Sequence, residues 1–294
     1  MKNLRSKKTL LLSGALLMFV TGCTKVTDGS GKVLPAKIIQ LSTTLNGILK
    51  SESWFSAFFV YPLAQAINFL APIVGVGLAI AAVTIIIKLL TLTFTVKSTV
   101  ASQKMNVIQP ELKKIQDKYA DRKDDASKMA MGQEMQNLYS KNNINPFGTI
   151  LITFIQLPII LAMYQAVQRS SAVVNGTIMG ASLQVSPLTG MKNGTIIYFV
   201  IYILMGVFQF LSLKMPTWLG ERSQKKTAKH HDEPKKKASN SMNTMMYSSL
   251  VLIMFLSISW PTAMSLYWLV SAVAQVAQTL YIQWKYIDKA EGAK

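Results

Sequence analysis

Residues 75–96 read GVGLAIAAVTIIIKLLTLTFTV, and this stretch decides the class of fold. As a helix rising 1.5 Å per residue, about 22 residues cross a hydrocarbon core of roughly 30 Å. Near its middle stands Lys88, where a cation costs roughly 2.5 to 3.5 kcal/mol on insertion scales. Thr84, Lys88, Thr91 and Thr95 follow one another at spacings of four, three and four. At 100° per residue they share an arc of about 60° on one helix face. A lone threonine in a span usually bonds its own backbone one turn back. Aligned with a lysine, the three threonines read instead as a hydrophilic stripe.

Working outward, four more segments have lipid length, so the chain reads as an all-α membrane protein with five transmembrane helices. The spans are expected at 75–97, 146–168, 194–213, 242–259 and 262–284, with only Trp260 and Pro261 to turn between the last two. Half of the 294 residues are apolar and 15% are charged, too few charges for an ordinary soluble domain. Residues 54–74 are rich in aromatics and interrupted by Pro62 and Pro72, which suits a helix in the outer interface. Residues 98–143 carry helical periodicity broken at Pro110 and at Asp121 to Asp125, the pattern of a helical hairpin. Met105, Ile108, Leu112 and Ile115 form one stripe and Met131, Met135 and Leu138 another; the two are expected to pack together.

Orientation follows from the ends and the charges. Lys2, Arg5, Lys7 and Lys8 precede an apolar run from Thr9 to Val20 that is too short to cross lipid. Residues 1–22 therefore read as a signal peptide. Val20-Thr21-Gly22-Cys23 resembles the lipobox of bacterial lipoproteins, in which the cysteine thiol takes a diacylglyceryl group. Residues 23–53 then begin outside as a linker. Five crossings from there put 98–143, the basic loop 214–241 and the tail 285–294 in the cytoplasm, and 169–193 outside. The positive-inside bias agrees, since the outer loop from Ser170 to Lys192 holds one Lys.

The net charge of +18, from 31 Lys and Arg against 13 Asp and Glu, is thus a topology signal and a contact for anionic headgroups or ribosomal RNA. No DNA partner is implied. One cysteine excludes an intramolecular disulfide and a thiolate metal centre. His230 and His231 lack a third ligand nearby, so no metal or other cofactor is expected. No Walker loop, paired intramembrane carboxylates, HExxH or Ser-His-Asp set is present, and the chain does not read as an enzyme.

Polar residues recur in the other spans: Thr149, Thr153 and Gln156; Tyr202, Gln209 and Ser212; Trp268, Ser271, Gln275 and Gln278. No Asp or Glu lies in any span, so Lys88 must find its counter-charge in water, lipid phosphate or a visiting molecule. A wet groove of uncharged polar walls around one cation suits an acidic, partly apolar segment entering lipid. A small-solute transporter or channel is the rival reading. It fits less well, because no inverted repeat and no second ionisable residue for ion coupling are found.

The residues resemble the YidC/Oxa/Alb family of membrane insertases, in its Gram-positive form with a lipoprotein signal. The likeness lies in Phe59-Val60-Tyr61-Pro62-Leu63, Ile85-Ile86-Ile87-Lys88-Leu89, Gln109-Pro110-Glu111-Leu112-Lys113-Lys114-Ile115, Asn145-Pro146-Phe147, Ile155-Gln156-Leu157-Pro158-Ile159, and Pro261 with Leu266-Tyr267-Trp268. The resemblance implies a five-span core with a cytoplasm-facing groove and a mobile cytoplasmic hairpin. It implies insertion of nascent membrane proteins, especially small ones with acidic tails, alone or beside the Sec translocon. Lys88 is then the groove cation, with Gln209 and Trp268 beside it. Lys88 stands where the family usually has arginine, and Ala272 where an asparagine is common. The tail after Trp284 is short and mildly basic, unlike the long cationic tails that dock the ribosome in some members.

Overall fold

The computed structural model describes residues 26–28, 33–122, 124–144, 146–227 and 240–288. The signal peptide at 1–22, Cys23, His230, His231 and the end of the tail lie outside the described residues, as do the side chains of Thr149 and Thr153. The helices in chain order are α1 (Leu45–Ser51), α2 (Tyr61–Val74), α3 (Val76–Val107), α4 (Gln109–Lys118), α5 (Asp125–Lys141), α6 (Pro146–Arg169), α7 (Ser171–Val174), α8 (Pro187–Lys192), α9 (Ile196–Thr227), α10 (Asn240–Ser259) and α11 (Thr262–Ile282). Single turns of π-helix, Ser56–Val60 and Gln283–Asp288, extend α2 backward and α11 forward. The fold is helical, as the sequence implies, with one two-residue hairpin, β1 (Thr177–Ile178) and β2 (Ala181–Ser182). Its turn, Met179-Gly180, has φ of 50° and 80°, the left-handed pair that a two-residue hairpin loop demands.

Among the described residues three helices are long and apolar enough to cross a membrane: Ser56–Val74, Ile196–Arg222 and Thr262–Lys285. Val76–Leu92 with Thr95–Met105, bent by 70°, makes a fourth if the pair is one span. Ser56–Val74 was assigned from its prolines to the outer interface, yet by length and composition it is also span-like. Pro62 sits in the first turn of α2, where its missing N–H breaks no bond, and Pro72 lies near the end. The helix stops at Gly75, whose φ of 82° is open to glycine at little cost. Several helices also overrun the expected spans: α3 continues to Val107 and α9 to Thr227, the latter through Pro216.

Two compact units divide the chain. The first comprises residues 1–84, 155–202 and 257–267. Its core joins Ile39, Ile48, Phe55, Val60, Ala64, Ala162 and Ala166, and the alanines allow α2 and α6 to approach closely. Residues 33–53, read from sequence as a linker, are a folded strap tied to α2 by side chains. The Tyr61 hydroxyl and Gln65 Nε2 donate to the Thr43 carbonyl, and Asn68 Nδ2 donates to the Ile39 carbonyl at 2.7 Å. Asn68 Oδ1 in turn accepts from the Ser170 and Ser171 hydroxyls and from the Ala172 N–H. The segment between β2 and α8 is pinned to the start of α11, where the Thr262 hydroxyl donates to the Val185 carbonyl at 2.7 Å.

The second unit comprises residues 85–154, 203–256 and 268–294. Here α4 and α5 form the expected hairpin. Ile108, Leu112, Leu138 and Ile144 are buried together, with Met105, Ile115, Met135 and Tyr139 packed around them. Of the two stripes, Met131 alone stays outside this core. Asp124 caps α5 by accepting from the Ser127 N–H at 2.8 Å.

Candidate functional site

The polar face of the second unit is carried by α3 and α11. Lys88 is half-buried; its carbonyl accepts from the Thr91 hydroxyl at 3.3 Å, while among the described residues its side-chain amine has neither an ion pair nor a hydrogen bond. Each threonine of the stripe does bond back along its own helix. Thr84 donates to the Ile80 carbonyl at 2.7 Å, Thr91 to Ile87 at 2.8 Å and Thr95 to Leu92 at 3.1 Å. These bonds spend the hydroxyl protons and leave oxygen lone pairs to accept. On Thr95 that capacity is used: Gln278 Nε2 donates to its Oγ1 at 3.1 Å, joining α11 to α3.

Two turns further along α3, Gln103 makes a second such link. It is 2% exposed and donates through Nε2 to the Thr279 carbonyl at 3.2 Å. Gln103 Oε1 and the Thr279 hydroxyl are both buried and without a partner among the described residues. The Ser271 hydroxyl, on the same helix as Thr279, is also buried and unpartnered. Polar atoms enclosed in this way are sites for water, because each unmade bond costs roughly 1 to 3 kcal/mol. The α3–α11 seam is therefore polar where Gln278 and Thr279 meet Thr95 and Gln103.

Of the other expected groove residues, Trp268 is buried, while Gln209 and Gln275 are partly buried. None of them bonds to Lys88. Thr84 and Gln156 fall in the first unit, where Thr84 is fully buried and Gln156 Nε2 donates to the Tyr267 hydroxyl at 3.3 Å. Gln103 and Thr279 were missed in the sequence. Gln103 lies beyond the apolar run, in a stretch assigned to the cytoplasmic hairpin, so no lipid-length pattern marked it.

Residues 69–289 match the model of the 60Kd inner membrane protein family. The chain belongs to that family. A membrane protein insertase YidC of Enterococcus faecalis is 34% identical over 232 residues, covering 79% of this chain and 75% of that one. A membrane protein insertase YidC 2 of Bacillus anthracis is 31% identical over 239 residues, covering 80% and 83%. A crystal structure of an active YidC insertase, with its first transmembrane domain resolved, gives a TM-score of 0.53 at 19% identity. That match covers 80% of this chain and 50% of the other, so the chain spans half the length of the solved protein and shares its fold. As a member of the 60Kd inner membrane protein family it is a multi-pass membrane protein. Thr84, Lys88, Thr91, Thr95, Gln156, Gln209, Trp268, Ser271 and Gln275 fall inside the matched residues, whereas Cys23 and Glu52 fall outside them.

Proposed function

We propose that the chain inserts membrane proteins by offering them a hydrophilic face, built on α3 and α11, around the single cation of Lys88. The insertase class itself follows from the family, whose curated relatives are named membrane protein insertases. The observation that carries the site is Lys88 itself: a half-buried ammonium in an apolar helix, unpaired among the described residues. An incoming segment with a carboxylate would supply the missing partner. Thr91, Thr95, Ser271 and Gln275, with Gln209 and Trp268, would then line the path; Thr84 and Gln156, also expected there from sequence, belong to the first unit. Water held along such a wall shortens the apolar distance that a polar tail crosses and lowers its desolvation cost. No covalent step is involved.

In this reading the groove opens to the cytoplasm and to lipid, and the α4–α5 hairpin stands on the cytoplasmic side. The N-terminus is outside, held by a lipid on Cys23, in the plasma membrane of a bacterium, and the C-terminus is inside. Substrates are nascent membrane proteins, above all small ones with acidic tails, inserted alone or with the Sec translocon. The surplus of Lys and Arg on the inner side supports contacts with anionic lipid and with the ribosome.

The test is complementation of a strain depleted of its own insertase, following insertion of a short acidic-tailed substrate. Lys88→Arg supports insertion as the parent chain does, and Lys88→Ala slows it severely. Equal insertion by Lys88→Ala across all substrates tried removes Lys88 from the mechanism.

A further inference from the structure

Where α9 meets α10, side chains typical of the headgroup layer gather at one end of an apolar track. Lys214 Nζ lies 5.5 Å from the centre of the Tyr247 ring. Trp218, one turn beyond Lys214, is partly exposed and packs edge-on against Phe210 at 6.1 Å. On α10, Thr244, Tyr247 and Ser248 lead into Val251, Leu252 and Phe255, and these six residues line an open, shallow track on the helix face. Spacings of three and four keep them on one helix face. Chemistry is graded along it: an ammonium and hydroxyls first, then hydrocarbon alone. Val251, Leu252 and Phe255 are each more than half exposed.

We propose that this face binds one anionic phospholipid, with its phosphate at Lys214 and an acyl chain laid along Val251, Leu252 and Phe255. Length is the first argument. Eleven residues separate Thr244 from Phe255, about 16 Å of helix, which is half of a core roughly 30 Å thick and so the reach of one leaflet's acyl chain. Position is the second. Lysine, tyrosine and tryptophan together mark the headgroup level, the lysine stem lying on apolar surface with its amine among phosphates. Charge is the third, for among the described residues Lys214 has no carboxylate within ion-pair distance.

Shape argues against a protein occupant. Helices that associate in lipid meet through small residues. The small residue here, Gly206 of α9, is occupied with α10: a Cβ built on it would lie 2.9 Å from Met254 Cε, so the two helices touch there, off the track. The track itself is bulky and, beyond Ser248, has no group to satisfy a peptide backbone.

The test uses the full-length protein in nanodiscs of mixed phosphatidylglycerol and phosphatidylcholine, with native mass spectrometry of the lipids retained. The parent protein retains phosphatidylglycerol in preference. Lys214→Gln lowers that preference about fivefold, the effect of one lysine near an anionic surface, and Lys214→Arg keeps it. Leu252→Trp, which fills the track, lowers retention of both lipids. A readout that needs no change at Lys214 is fluorescence. Brominated phosphatidylglycerol quenches tryptophan more than brominated phosphatidylcholine at equal mole fraction, and the difference vanishes in Trp218→Phe. Equal retention by the parent and Lys214→Gln overturns the proposal. So does a photo-crosslinker at Val251 that captures polypeptide in place of lipid.

Discussion

Arg169 Nη2 donates to Glu52 Oε1 at 2.6 Å, across 117 residues of sequence, with both side chains almost wholly buried. Arg169 Nε also donates to the Lys37 carbonyl at 2.8 Å, so one guanidinium fastens the end of α6 to both ends of the strap. The pair is imperfect, since Arg169 Nη1 and Glu52 Oε2 are buried without partners. Such a pair adds little net stability over apolar residues, but breaking it strands a buried charge.

Removing Glu52 is therefore the damaging change. Glu52→Ala is expected to lower the unfolding free energy by about 3–5 kcal/mol. Lys37, which also reaches Glu52 Oε1 at 3.2 Å, is more exposed, and Lys37→Ala costs about 0–1 kcal/mol. The double replacement Glu52→Leu with Arg169→Met costs less than Glu52→Ala alone. Chemical unfolding in a mild detergent measures all three. Equal losses for Glu52→Ala and Lys37→Ala would refute the charge argument.

The hairpin is held by few contacts, so its core residues act locally. Leu112 is 4% exposed among Ile108, Leu138 and Ile144. Leu112→Ala removes buried methyls and leaves a cavity, at a cost of about 2–5 kcal/mol to the hairpin. Amide exchange read by mass spectrometry is expected to speed up through α4 and α5 while α2 and α6 keep their protection. Met131→Ala, outside this cluster, changes exchange little.

What was legible in the sequence is what periodicity carries. Lys88 and its threonines were found by spacing, the hairpin by its stripes, and the α10–α11 turn by Trp260 and Pro261. The strap was invisible for a physical reason: Tyr61, Gln65 and Asn68 hold backbone carbonyls 18 to 29 residues away, and such bonds leave no local pattern. Helix ends are not legible in hydropathy, which reports the apolar run, whereas α3 and α9 continue as helix beyond it to Val107 and Thr227. Gln103 belongs to that overrun, and Thr279, inside the fifth expected span, meets it through a backbone carbonyl, so this link of the polar seam went unread.

Stability of the hairpin should depend on pH on both flanks. The Ser127 backbone N–H holds the Asp124 carboxyl below the usual range, and the Lys118 amine, then the Tyr119 hydroxyl, hold Glu134 low. A depressed carboxyl contributes above its unfolded pKa, near 4, and the contribution is lost as pH falls through the folded value. Lys118 is raised by the same bond to Glu134, so its share is complete below about 10.4 and fades as pH rises through the folded value. All three groups are at the surface, and salt weakens the effects. Protection factors of α4 and α5, corrected for intrinsic exchange, should fall below about pH 4. Asp124→Asn with Glu134→Gln keeps the cap and removes most of that acid limb. An unchanged acid limb in the double variant would show that other groups set it.

The polar seam invites one last substitution. Gln103 is almost fully buried, yet it makes one hydrogen bond, to a carbonyl of Thr279 that lies within α11, and leaves Oε1 unmatched. Gln103→Leu loses a bond worth about 1 kcal/mol and also removes an enclosed acceptor whose desolvation costs a similar amount or more. In a dry seam stability would change by less than about 1 kcal/mol in either direction. Gln103→Glu, of nearly the same shape, puts a charge in an enclosed position and should destabilise far more. If a water fills the seam and bonds Oε1, the leucine variant loses that bond as well and its cost rises toward 2–3 kcal/mol. Unfolding measurements on the two variants therefore report whether the seam is wet: a near-neutral leucine means a dry contact, and a costly one means that water belongs to the wall which the proposed insertion path requires.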